Sequence, residues 1–186
     1  MAEDTAVLAS ALEERLTFET MLSDLSSRFV NLEPSDVDHE IKEAQCRVCE
    51  CLGLDIAALW QLSPDEPGVF RMTHVYMRLD GPPIPENFDA REVNPWGLAQ
   101  VFSGRVVVLP NIEQAPAEAA RDRETWRYFG IKSVFLFPLS TGGDEPFGAM
   151  SFHSVEEERS WSDEIVQRLQ LVCQIFANAV VRKRVD

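Results

Sequence analysis

Residues 130–154 read GIKSVFLFPLSTGGDEPFGAMSFHS. Two short apolar runs flank a polar, Gly-rich turn at 140–145. The first run, Val134-Phe135-Leu136-Phe137, has no polar residue at alternate positions, so neither face suits water. Two such runs about a turn predict an antiparallel hairpin. Helical patterns precede and follow it. A strand that is apolar on both sides belongs inside a sheet with a layer on each face.

Working outward, Trp161 opens a final helical stretch to about residue 184. Ser160 or Ser162 can cap it, with Asp163 and Glu164 in the first turn and Arg182-Lys183-Arg184 at the end, matching the helix dipole. Upstream, APAEAARDRETWRYFG predicts a short helix from near Pro116 to Gly130. RVVVLP (105–110) is a β-branched strand ended by Pro110. NPWGLAQVFSG is a short helix with Asn94 as N-cap, Pro95 first inside and Gly104 as its stop. Residues 80–92 are Pro-rich and irregular. DIAALWQL (55–62) and VFRMTHVYM (69–77), joined by PDEPG, form a second hairpin. In its second strand Val69, Arg71, Thr73, Val75 and Met77 alternate with Phe70, Met72, His74 and Tyr76. A helix at 36–52 ends at Gly53, and Pro34 separates it from a long helix at 7–32.

The predicted order is α-α-β-β-α-β-α-β-β-α. That is an α+β fold around a central antiparallel sheet of five to six strands. The long helices cover one face, and the short helices and Pro-rich loop cover a pocket on the other. Two parts are expected: an N-terminal helix at residues 1–33, and a domain at 34–186 that ends in a long C-terminal helix.

The chain has 186 residues, 45% hydrophobic and 26% charged, an ordinary globular balance. Lys plus Arg is 17 against 31 Asp plus Glu, a net charge of −14. That speaks against direct nucleic-acid contact or an anionic membrane surface, which need clustered cations. No run reaches the roughly 18 apolar residues of a membrane span, and the start lacks a signal-peptide pattern. The chain reads as cytoplasmic. Three of its four cysteines fall in CRVCEC (46–51); Cys46-x-x-Cys49 has no second ligand pair, so buried or half-buried thiols are expected.

In the long first helix Phe18, Leu22, Leu25, Phe29 and Leu32 recur at alternating spacings of four and three, a heptad-like seam. The last helix is apolar almost all round near 171–181. The expected dimer interface is therefore Phe18, Leu22, Leu25 and Phe29 with Val172, Phe176 and Val180. The other reading is one large intramolecular core.

With this order in hand, the chain resembles a GAF domain. Gly130-Ile131-Lys132-Ser133, then Pro138-Leu139, then Phe147 to His153 is similar to that family's last hairpin. Trp161-Ser162-Asp163-Glu164 with Leu169, Leu171, Phe176, Ala177 and Ala179 is similar to its final helix. The resemblance spans roughly residues 35–184 and is nearest the modules of bacterial sensor histidine kinases and enhancer-binding transcription activators. It implies a sensory, non-catalytic module, a homodimer joined through flanking helices, a linked output domain, and a small-molecule ligand between sheet and short-helix cover. The uncapped end VVRKRVD is expected to run on into a longer receptor.

Candidate ligand contacts are Trp96, Phe102, Trp126, Tyr128, Phe135, Phe137, Ser151 and His153, with Arg71 and His74 as further polar options. The aromatics serve equally as core filler. His153 is expected at the surface rim of its strand. Asn87-Phe88-Asp89 only echoes the family's cyclic-nucleotide motif, and all four cysteines lie on predicted helices rather than on a chromophore loop. No particular cofactor is identified. The chain has no G-x-S-x-G, P-loop or G-x-G-x-x-G for an enzyme reading. A ligand-free dimerisation or spacer module is the remaining alternative.

Overall fold

Strict alternation along the 130–154 hairpin divides the molecule into its two layers. The computed structural model describes residues 1–185; Asp186, the last residue of the expected domain, lies outside the described residues. Strand β1 (Ile56–Leu62) is followed by β2 (Phe70–Met77), β3 (Val107–Leu109), β4 (Ser133–Leu139) and β5 (Gly148–Ser154). The sheet order is β2-β1-β5-β4-β3, antiparallel throughout. The apolar run at 134–137 thus lies inside the sheet, as its two-sided pattern requires. β3 is shorter than the expected 105–110, because Arg105 still donates its N–H to the Gln100 carbonyl at the end of the preceding helix (3.0 Å). At Gly148 an added Cβ would lie 2.6 Å from the Trp60 carbonyl oxygen, so the strands close only over glycine.

Three long helices cover one face: α1 (Ala2–Val30), α2 (Val37–Leu52) and α6 (Asp163–Val185). Phe135, Phe137, Met150, Phe152 and Leu59 of the sheet meet Phe18, Leu25 and Phe29 of α1, Ile41 and Val48 of α2, and Leu169, Val172 and Phe176 of α6. The expected dimer residues are therefore corrected. Phe18, Leu25, Phe29, Val172, Phe176 and Val180 are buried in this intramolecular core, and half-buried Leu22 packs against it. A seam spaced by threes and fours marks an apolar face without saying whether a second subunit or the chain's own sheet covers it. The large apolar side chains of α1 that remain exposed are Val7, Leu8, Leu12, Leu16 and Val30.

The basic cluster closing α6 ties the helical layer together. Arg182 donates from Nη2 to the carbonyls of Phe29 (2.7 Å) and Leu32 (3.2 Å), and from Nη1 to that of Val30 (3.2 Å). These are carbonyls at and just past the end of α1, which has no further turn to receive them. Lys183 pairs with Asp38 of α2, and Arg184 reaches Gln61 of β1 (2.9 Å).

The other face carries α3 (Ala90–Val93), α4 (Pro95–Phe102) and α5 (Ala120–Tyr128), with the Pro-rich segment before them. The sequence pattern treats 80–92 as irregular throughout; α3 forms because the Asp89 carboxylate accepts the Arg91 N–H (3.0 Å). Asn94 holds the N-cap position of α4 but makes no side-chain cap bond. The cap comes from α5, where buried Asp122 accepts the N–H groups of Trp96 (3.0 Å) and Gly97 (2.8 Å). Burial pushes its carboxyl up, against the pull of those two amides. A Cβ at Gly97 would lie 3.2 Å from the Asp122 carboxylate and 3.3 Å from Leu136, so the missing side chain lets α4 sit close to both α5 and the sheet.

Candidate functional site: a cavity between the sheet and its short-helix cover

Alternation on three strands builds the floor. Ile56, Ala58 and Trp60 of β1 point away from the helical layer, as do Ala149, Ser151 and His153 of β5 and Val134 and Leu136 of β4. Register places Ile56 opposite His153, Ala58 opposite Ser151 and Trp60 opposite Ala149. On β2 the simple alternation fails. Leu59 pairs with His74 and Trp60 with Met72, so Thr73 is an extra residue and the strand bulges. Phe70 and Met72 before the bulge and Val75 and Met77 after it therefore share the cavity face.

The cover supplies Ile84 and Phe88 from the Pro-rich segment, Gly97, Leu98 and Val101 from α4, and Thr125, Trp126 and Phe129 from the end of α5. Small residues make the space: Ala58, Ala149 and Ser151 below and Gly97 above leave a cavity of about 80 Å³. Aromatic rings edge it. Phe88 lies 5.6 Å from Trp60 and 5.7 Å from Phe129, centroid to centroid.

Few polar groups reach the cavity. Trp60 Nε1 donates to Ser151 Oγ (3.3 Å), and Thr125 Oγ1 donates to the Val93 carbonyl (2.6 Å). Half-buried Asn94, at the start of α4, also lines it and makes no side-chain cap bond. His153 is different. It is 9% exposed, it lines the cavity, and its Nδ1 has no hydrogen-bond partner. Burial pushes its pKa down to about 4, so the ring is neutral at ordinary pH. The expected rim position is corrected, because β5 is the central strand and both its faces are covered. Among the described residues, no Asp, Glu, Lys, Arg or Cys lines the cavity. Ser151 is engaged by Trp60, and no carboxylate stands there to orient His153 as a base.

The remaining candidates fall on both sides of this boundary. Trp126, Ser151 and His153 line the cavity together. Phe135 and Phe137 face the helical layer instead, because strand parity gives the cavity Val134 and Leu136. Phe135 stacks on Trp161, 4.1 Å between centroids, just before α6 begins. Phe102 is exposed on α4 with its edge against Phe70, and Tyr128 is exposed at the end of α5. Trp96 packs on Trp126 (6.4 Å) outside the lining. Arg71 pairs with Glu66 at the sheet edge. His74, past the bulge, turns to the helical layer, where Nε2 meets Asp38 Oδ1 (3.0 Å).

Sequence reasoning missed Trp60, Phe88 and Phe129. Trp60 was within reach of it, since it shares its strand face with Ala58 and Ile56. Phe88 and Phe129 sit in loop and helix-end positions, whose direction no periodicity gives.

The family model of the GAF domain matches residues 36–180, and the chain belongs to that family. No curated protein matches. Among solved structures, the fold is similar to the phycocyanobilin-bound GAF domain from a cyanobacterial phytochrome: 19% identity, 90% of this chain and 96% of that chain, TM-score 0.71. It is also similar to the GAF domain from a phosphoenolpyruvate-protein phosphotransferase of Coxiella burnetii: 13% identity, 91% and 96% coverage, TM-score 0.72. A third is the GAF domain of a putative sensor histidine kinase from Pseudomonas syringae pv. tomato: 14% identity, 96% of each chain, TM-score 0.63. At these identities the likeness establishes the fold. No described helix is long and apolar enough to cross a membrane.

Proposed function

We propose that this chain is a non-catalytic sensory GAF module of bacterial signal transduction. A small molecule occupies the cavity, and its presence is passed through α1 and α6 to an output domain such as a histidine kinase or a transcription activator. The observation that carries this reading is His153, a buried polar side chain in the cavity whose Nδ1 lacks a partner. A buried polar atom without a partner costs free energy, and a ligand can remove that cost. Support for transmission comes from Arg182, which joins α6 to the end of α1, and from Lys183, which joins α6 to α2.

Native mass spectrometry of the purified protein, followed by denaturing spectra, tests it. A retained mass, lost on denaturation and absent from a variant in which Ala58→Phe fills the floor, is the expected result. A folded protein with no retained mass and no saturable ligand favours a second reading, a ligand-free spacer. One observation speaks for that alternative: about 80 Å³ is small.

Homodimer formation is part of the proposal. With the seam of α1 and α6 covered, pairing falls to the exposed apolar residues of α1, Val7, Leu8, Leu12 and Leu16.

A further inference from the structure

The chemistry of the lining limits what can enter, given the reading of the cavity as the sensing site. Its residues carry no charge, positive or negative. An ionised ligand would leave water for a site with no counter-charge, and the penalty for an unpaired buried ion is several kcal/mol. Carboxylates, phosphates and ammonium groups are excluded on this ground. Size excludes more. A cavity of about 150 Å³ takes a benzene ring, and this one offers about 80 Å³. A single ring already requires an outward step of the cover, and a multi-ring ligand would require the cover to come apart. Part of that cover, Ile84 and Phe88, stands on the Pro-rich segment rather than on a long helix.

The polar groups narrow the class again. Trp60 and Ser151 satisfy each other, and Thr125 is bound to a backbone carbonyl. Among the buried side-chain atoms of the lining, His153 Nδ1 lacks a partner; Asn94, also in the lining, is half-buried at the start of α4 and makes no side-chain cap bond. As a neutral imidazole nitrogen, His153 Nδ1 donates or accepts according to tautomer. We propose that the cavity selects a small uncharged molecule, one ring or a compact aliphatic skeleton, bearing a single hydroxyl, carbonyl or ring N–H that pairs with His153 Nδ1.

The test compares phenol, toluene and benzoate as probes of one ring each, titrated into the full chain near neutral pH and followed by NMR shifts of Ser151 and His153. Phenol is expected to bind about fivefold to tenfold more tightly than toluene, the worth of one hydrogen bond. Benzoate is expected to give no saturable shift. In His153→Leu, phenol and toluene should bind equally. The wild-type comparison stands even if that variant fails to fold. Benzoate binding as tightly as phenol overturns the uncharged class and leaves the cavity as the sensing site. Equal binding of phenol and toluene by the wild type overturns the role of His153. Saturable shifts with none of the three overturn the proposal. In that case the denatured extract of the purified protein separates the two readings: a released small molecule keeps the cavity as the sensing site, and its absence removes that reading as well.

Discussion

Single side chains decide where this domain stores cost and where it spends it. His153 is the clearest case. Its pKa falls from 6.5 to about 4 on burial, so the unfolded chain binds more protons than the folded one between those values. Stability contributed in this way is complete above the unfolded pKa and is lost as pH falls toward the folded one, by about 3 kcal/mol over the window. His74, also lowered chiefly by burial, adds in the same direction. Urea melts at neutral pH and near pH 4.5 should show the loss, and His153→Gln should remove much of it. An unchanged slope in the variant would mean that His153 titrates normally. Gly148 is a second case. Gly148→Val should cost about 3 kcal/mol, because the new Cβ meets the Trp60 carbonyl oxygen rather than a movable side chain. A melt within about 0.5 kcal/mol of wild type would show that β5 does not pass β1 this closely.

Elements here are finished by residues belonging to other elements. α4 is capped by Asp122 of α5, and the end of α1 by Arg182 of α6. Asp122→Ala should cost about 1–2 kcal/mol and speed amide exchange through α4, more than through α5. Equal protection in both helices would count against the cap. Arg182→Ala leaves three carbonyls short of a donor and should cost about 2 kcal/mol, measured by chemical denaturation. Phe176 shows why these roles escape a one-dimensional reading. Its place in an apolar stripe fits a partner helix as well as a core, yet it is fully buried with its ring 5.7 Å from that of Phe29. Phe176→Asp should therefore unfold the domain rather than merely separate subunits, and a folded monomer would reverse that assignment. Asn94 and Asp122 make the same point. Asn94 looks like a cap from its neighbours, whereas Asp122, 28 residues on, reaches α4 only after the cover has folded.

At the scale of the molecule, the exposed part of α1 is an apolar surface that the proposed dimer can use. Leu12→Glu with Leu16→Glu should lower association in analytical ultracentrifugation and leave the fold of each subunit intact, since both side chains are exposed on the single chain. A dimer that survives the change would place the contact elsewhere. The element order apart from α3, the antiparallel sheet, the burial of β4 and the division into a long-helix and a short-helix face were legible in the sequence. Each rests on local periodicity and on turn and cap residues, which short windows of chain contain. The cavity was legible only in part. Trp126, Ser151 and His153 were within reach, but Phe135 and Phe137 went to the wrong layer and Trp60 was passed over. Periodicity reports that a residue has a side to hide without naming what hides it. Which side faces which layer was decided by strand register, by the bulge at Thr73 that reverses parity in β2, and by the packing of α1 onto its own domain. All three depend on contacts between residues far apart in the chain, and those exist only in the folded molecule.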